Sequence, residues 1–284
     1  MRISLAALSM GLMLLAFPAW ADCPKNTNNF SRNFSLEPDI GFGNNYSKSL
    51  KKNFKKYGVC KVTTDDGHPA RLGRKSIRFE VKKGDCGWSD PGRWNDCDRD
   101  RSRHELSGQK HRDGEYWYTW SIYLPEDFKV VFPTKLAIGQ FHQDKGHVVW
   151  MFQNVSGGYY VDRQLTGITE HMKKILDHDQ MIGQWNDIIV NAHWTHEDKG
   201  FFKVWVNGDL AFAHAGRTKS KGKKVYQKFG VYRSFLSRYQ KRFKAGVPGQ
   251  VVYYDEVRTA RTCEKLRLGD LGYRCDVLTT QSLD

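Results

Sequence analysis

From Ser76 onward the chain is written in a two-residue rhythm. Ile77, Phe79 and Val81 alternate with Arg78 and Glu80, the pattern of a strand with one face in a core. Further runs follow at Arg103 to Ser107, Tyr116 to Leu124, Leu136 to His142, Val148 to Gln153 and Asp187 to Trp194. The series continues at Phe201 to Val206, Leu210 to Ala213, Lys228 to Arg233 and Val251 to Arg258. Each is short, rich in aromatic and β-branched residues, and bounded by Gly, Pro, Asp or Asn, which predicts strands between turns. Asn207-Gly208 between two of them predicts a tight hairpin. One helix is expected near Thr169 to His178. Residues 22–75, polar and rich in Asn and Lys, predict an N-terminal wrap with one or two strands. So many strands with almost no helix predict an all-β fold, a two-sheet sandwich or jelly roll with one concave polar face. No shift of composition marks a second domain between residue 22 and residue 284.

The first residues break this rhythm. Arg2, an apolar stretch from Leu5 to Phe17, and Ala19-Trp20-Ala21 form the three regions of a cleavable secretory signal over residues 1–21. No other long apolar run exists, which excludes a polytopic membrane protein. Export to the periplasm or the exterior makes the six cysteines a disulfide set. Pairing neighbours gives Cys23–Cys60, Cys86–Cys97 and Cys263–Cys275, one of about fifteen connectivities that six cysteines allow. Residues 84–102 then form a loop tied by Cys86 and Cys97. No two cysteines have zinc-finger spacing.

Strand parity gathers the chemistry. Gln140 and His142 share a face, with Phe141 on the other; Leu136 and Ile138 have the same parity as the polar pair, so this face turns from apolar to polar along the strand. Lys228, Gly230 and Tyr232 share a face while Phe229 and Val231 fill the core side. Gly230 leaves open space there, as where a ligand approaches closely. Arg103 and Glu105 share a face, and Arg78 and Glu80 repeat that arrangement on an earlier strand, so either pair can be the functional one. Taken singly, each set is equally a hydrogen-bonded strand end or a surface ion pair.

Taken in order, R-x-E-L at Arg103 to Leu106, Q-x-H at Gln140 to His142 and Y-x-K-x-G-x-Y at Tyr226 to Tyr232 resemble the motif order of the jelly-roll alginate lyases. The wider sequence is more similar to the heparin lyase I-like and glucuronan lyase group. That likeness runs through Trp117 to Pro125, Gly183 to Asp187, Gly200 to Gly208, Lys228 to Arg233 and Tyr253 to Arg258, and covers roughly residues 70–260. The resemblance implies a polysaccharide lyase that cleaves a uronic-acid polymer by β-elimination. Removing the C5 proton of a uronate builds a dianionic enolate on its carboxylate, so charge must be stabilised there. The resemblance gives this work to Gln140 and Arg103, and proton transfer to Tyr232 and His142. A tyrosine base needs its pKa lowered, which Lys228 or a nearby Arg would do. Lys228, Arg78, Glu105 and Arg233 are the expected substrate-binding residues. Ser107-Gly108 stands where alginate lyases often carry a second Arg, which leaves Arg78 and Arg103 as alternatives. No cofactor is required; by resemblance a structural Ca²⁺ is common in such sandwiches, with Asp255 as the candidate ligand, although no oxygen cluster is legible in the sequence.

A formal charge of +14 over 284 residues suits an anionic polysaccharide as partner. Arg99, Arg101, Arg103, Lys110, Arg112 and the run Lys219 to Lys224 are positioned to line the approach. A glycoside hydrolase would need paired carboxylates, and Asp255-Glu256, being adjacent, point to opposite faces. A nuclease would need a metal cluster, and His142 and His147 have only Asp144 beside them, so nucleic acid is not the expected partner. The main alternative is a noncatalytic carbohydrate-binding jelly-roll protein, which would share the fold without needing Gln140, His142 and Tyr232. The oligomeric state is not legible in the sequence.

Overall fold

The computed structural model describes Cys23, residues 46–89 and residues 94–283; the expected signal segment lies outside them. Strands β1 (Ser47–Lys48), β2 (Val59–Thr63), β3 (Lys75–Val81), β4 (Arg101–Ser107) and β5 (Gly114–Tyr123) come first. After these come β6 (Lys135–Gln143), β7 (Val148–Val155), β8 (Gly158–Arg163) and β9 (His171–Leu176). The chain continues with α1 (His178–Met181), β10 (Trp185–Trp194), β11 (Phe201–Val206), β12 (Asp209–Ala215) and β13 (Val225–Ser234). Helix α2 (Leu236–Phe243), β14 (Gln250–Ala260) and α3 (Cys275–Thr280) close it. The strands form two seven-stranded antiparallel sheets, in the orders β1-β4-β13-β6-β7-β8-β9 and β12-β11-β10-β5-β14-β3-β2. This is the expected all-β jelly-roll sandwich.

The main core lies between the sheets, built from residues such as Phe79, Trp120, Phe141, Phe152, Phe229, Val231 and Tyr254. The second sheet is also covered on its outer face. There Trp117, Ile189 and Trp205 pack under Leu266, Leu268, Leu271 and Leu278 of the C-terminal segment. Beside them Cys60, Val62, Tyr123 and Tyr253 pack with Cys23. Disulfide Cys263–Cys275 ties the C-terminal segment, Cys23–Cys60 joins Cys23 to β2, and Cys86–Cys97 closes the loop before β4. All three expected pairings are present. With the second sheet covered on both faces, the polar residues of the first sheet's outer face are where chemistry is to be sought.

The expected helix near Thr169 to His178 is instead mostly β9, followed by the short α1. His171, Met172, Lys173 and Lys174 are all exposed. This is an edge strand whose charged residues discourage pairing with another chain, so it lacks the alternation that marks a buried strand. Helix α1 starts where Asp177 and Gln180 form a capping box. Asn207 and Gly208 both have positive φ in the β11–β12 hairpin, as its two-residue turn requires.

Two glycines set the register around the polar face. Gly139 in β6 has φ +144° and Gly230 in β13 has φ +125°, and the β6–β13 pairing shifts between Lys228 and Tyr232. Leu136 and Ile138 face the core before the irregularity, and Phe141 faces it afterwards. The sequence parity of β6 is thus broken by a bulge, which turns Gln140 and His142 outward. Gly230 does not open space for a ligand: an added Cβ would strike the His104 carbonyl oxygen and the Phe79 ring. The irregular backbone is held by hydroxyl donors. Tyr254 Oη lies 2.6 Å from the Ile138 carbonyl oxygen and 3.2 Å from that of Gly230, and Tyr159 Oη reaches Ile138 at 3.1 Å. Tyr254→Phe removes the donor from buried carbonyls and is expected to cost about 1–2 kcal/mol. Urea unfolding measures this, and an unchanged midpoint would show that these carbonyls do not depend on Tyr254.

Candidate active site

Register brings three strands' chemistry together. Tyr232 lies opposite Arg103 on β4 and Ala137 on β6, Lys228 lies opposite Gln140, and Tyr226 lies opposite His142. Glu105 is the hub. It is 1% exposed, and its Oε2 accepts from Lys228 Nζ at 2.7 Å and from Arg103 Nη1 at 3.3 Å. Its Oε1 accepts from Gln140 Nε2 at 2.5 Å. Arg103 also makes a two-pronged pair with buried Asp96, Nε to Oδ2 and Nη2 to Oδ1, each 2.7 Å. Burial alone would raise the Glu105 pKa, but Lys228, Arg103 and Gln140 outweigh it and hold the carboxyl below its usual range. Burial lowers the pKa of Lys228. The floor of the site is therefore a set of two acids and two bases that neutralise each other.

Tyr232 stands on this floor. Its ring centroid is 3.9 Å from the Arg103 guanidinium carbon, and its hydroxyl accepts from Arg101 Nε at 2.9 Å. On the other side of Gln140, His142 Nδ1 is 2.6 Å from the Gln143 carbonyl oxygen and 3.3 Å from Tyr226 Oη. The short contact to a carbonyl places the proton on Nδ1 and leaves Nε2 as an acceptor. Burial, then the nearby Lys228 charge, push the His142 pKa down to about 4. Burial raises that of Tyr226 to about 12, so its hydroxyl keeps its proton at neutral pH.

The structure thus brings together Arg103, Glu105, Gln140, His142, Lys228 and Tyr232. It separates the other two expected residues. Arg78 lies on β3 in the second sheet, paired with Glu80 at 2.8 Å and 3.9 Å from Cys23 Sγ. Of the two R-x-E pairs, strand order places only Arg103–Glu105 beside Gln140, His142 and Tyr232. Arg233 has the parity of Val231 and is 1% exposed. It donates to Pro248 O at 2.6 Å, Lys82 O at 3.0 Å and Ser102 Oγ at 3.0 Å, a backbone clamp with no open side. Burial lowers its pKa to about 10. Glu105 and Lys228 lie in the site but beneath it, their charges spent on each other. Sequence reasoning did not assign Asp96, Tyr226 or the Arg101 contact. Arg101 shares parity with Arg103, and Tyr226 with Lys228, so both were available from the pattern; Asp96 arrives from a loop and left no periodic sign.

Asp255 does not fit a Ca²⁺ ligand. Its Oδ2 accepts from Arg71 N at 2.8 Å and Leu72 N at 3.4 Å, and its Oδ1 from Glu256 N at 2.8 Å. Burial, then Glu256, raise its pKa to about 7. Among the described residues no group of three or more His, Cys, Asp or Glu is placed to hold a metal. Among them, too, no helix is long and apolar enough to cross a membrane.

A family model described as polysaccharide lyase matches residues 48–258. The chain belongs to the polysaccharide lyase family. It is an enzyme of that class, and a polysaccharide is its substrate. No curated protein matches it in sequence. In structure this lyase is similar to an endo-β-1,4-glucuronan lyase from the fungus Trichoderma reesei, at 17% identity and TM-score 0.52, covering 86% of this chain and 95% of that one. It is also similar to an alginate lyase of polysaccharide lyase family 7, at 11% identity and TM-score 0.51, covering 76% of this chain and 94% of that one. These likenesses are of fold.

Two measurements test the site. Glu105→Gln leaves Lys228 and Arg103 buried without their shared counter-charge, and is expected to cost about 3–5 kcal/mol in denaturant unfolding. A loss below about 1 kcal/mol would remove Glu105 from its place as hub. NMR titration of His142 is expected to give a midpoint near 4, far below the ordinary 6.5. Because the folded pKa is depressed, the unfolded chain binds the extra proton first, so this group withdraws stability as pH falls from about 6.5 towards 4. A midpoint near 6.5 would mean that the ring is solvated.

Proposed function

We propose that this lyase is exported through cleavage after residue 21 and acts as one domain from residue 22. Its substrate in this reading is a glucuronate-containing polyanion, cut by β-elimination, with alginate second. The observation that carries it is the placing of Gln140 between Tyr232 and His142 over a charge-neutral floor. The uronate carboxylate docks on Gln140 and on the Arg103 N–H groups that Asp96 and Glu105 do not use, where charge builds in the enolate. Tyr232 takes the C5 proton and returns it to the departing O4. Arg101 and Arg103 stabilise negative charge on its oxygen while the proton is away. In glucuronate that hydrogen and O4 lie on one ring face, so one residue serves both ends. His142, neutral and fixed by the Gln143 carbonyl, orients the sugar from the other side by accepting at Nε2 from one of its hydroxyls. The three disulfides support an oxidising compartment.

Cleavage products are expected to carry a C4–C5 double bond that absorbs in the ultraviolet. Mass spectra showing added water would make the reaction a hydrolysis. Tyr232→Phe is expected to lower kcat by roughly 10²-fold or more with the fold intact, while His142→Gln keeps more activity than His142→Ala. Normal turnover in Tyr232→Phe would remove the proton carrier. Cleavage confined to guluronate or iduronate linkages would instead require His142 to transfer a proton across the ring.

A further inference from the structure

The arginines around Tyr232 are of two kinds. Arg103 is held by carboxylates. Arg99, Arg101 and Arg238 have no carboxylate within ion-pair distance among the described residues; aromatic rings lie against all three, and Arg101 also donates to Tyr232 Oη and to the Arg99 carbonyl oxygen. The Arg99 guanidinium carbon lies 4.4 Å from the Trp94 ring centroid, and that of Arg101 lies 5.5 Å from the same ring. Arg101 is also 5.5 Å from the Phe235 ring, and Arg238 is 4.1 Å from it. The result is a continuous ladder, Arg99–Trp94–Arg101–Phe235–Arg238, that meets Tyr232 Oη through Arg101.

The ladder is fixed at both ends. Trp94 Nε1 donates to Asp96 Oδ1 at 2.6 Å, which ties the ring to the floor carboxylate of Arg103. Asp100, just before β4, accepts from Ser237 N at 2.8 Å and Ser237 Oγ at 2.7 Å, and its carbonyl accepts from Phe235 N at 2.9 Å. These bonds hold the start of α2 beside Arg101. Phe235 itself has φ +61°, a left-handed backbone unusual for a bulky residue. Trp94, Arg99 and Arg238 are exposed.

A guanidinium held by a ring face keeps its in-plane N–H donors for an anion, which a guanidinium held by carboxylates does not. We propose that this ladder is an anion-binding subsite that takes the carboxylates of uronate units beyond the one being cleaved. The enzyme then selects a run of consecutive charged sugars over an isolated one. This rests on the polyuronate reading above for its ligand, and it assigns to Arg99 and Arg238 a part in choosing polymer length and charge.

The test separates binding from turnover. In the Tyr232→Phe background, calorimetry measures the affinity for a glucuronate hexasaccharide and for a disaccharide. Adding Arg99→Gln and Arg238→Gln is expected to weaken hexasaccharide binding about tenfold or more, the effect of losing charge-assisted hydrogen bonds. Disaccharide binding stays within about twofold, and the salt dependence of hexasaccharide binding becomes shallower. Lys265→Gln with Arg267→Gln, an equal loss of two charges on the exposed C-terminal segment, changes neither. In the active enzyme the double substitution raises KM and leaves kcat within about twofold. Unchanged hexasaccharide affinity in the double variant would overturn the subsite, as would a parent that binds hexasaccharide no better than disaccharide. Failure of the polyuronate reading shows separately, as the absence of unsaturated product from the wild-type enzyme on any polyuronate.

Discussion

A single buried carboxylate joins three strands at the working face. Glu105 on β4 receives Lys228 from β13 and Gln140 from β6, and shares Arg103 with Asp96. Taking four charged groups out of water is costly, and only their mutual pairing offsets the desolvation. The positions of all four are therefore coupled. Gln140 can present its amide at one place because Glu105 holds the other side of it, and the Tyr232 ring rests on a guanidinium that cannot move without stranding two acids.

The backbone serves the same arrangement. A regular β6 would send Gln140 and His142 into the core that Leu136 and Ile138 already fill. The dislocation at Gly139 and Gly230 reverses that parity at one point, and the hydroxyls of Tyr254 and Tyr159 satisfy the carbonyls it frees. The core is thus more than a filler beneath the site, because its polar tips fix the irregularity on which the site depends.

Much of this was legible in the chain. Period-two alternation located the long strands, and parity put Lys228 with Tyr232 and Arg103 with Glu105, because those relations are local. Parity also marks Arg233 as a core-side residue, in line with Val231, so its backbone clamp was readable and its expected role at the substrate was not consistent with the pattern. Arg78 was a different kind of miss. Its spacing to Glu80 matches that of Arg103 to Glu105, and only the strand order places one pair in each sheet. The β9 edge escaped because lysines on both faces erase alternation. The bulge escaped because a glycine in a strand shows no sign of which way its backbone turns.

Asp96 reaches Arg103 from the loop that Cys86 and Cys97 close, and that same loop carries Trp94. A free segment there would have to lose its conformational freedom at the moment it delivers its carboxylate, opposing each contact it makes. The covalent link removes much of that freedom from the unfolded chain beforehand. The ionic floor is then completed by a segment with less entropy to lose, which helps hold a buried acid in register.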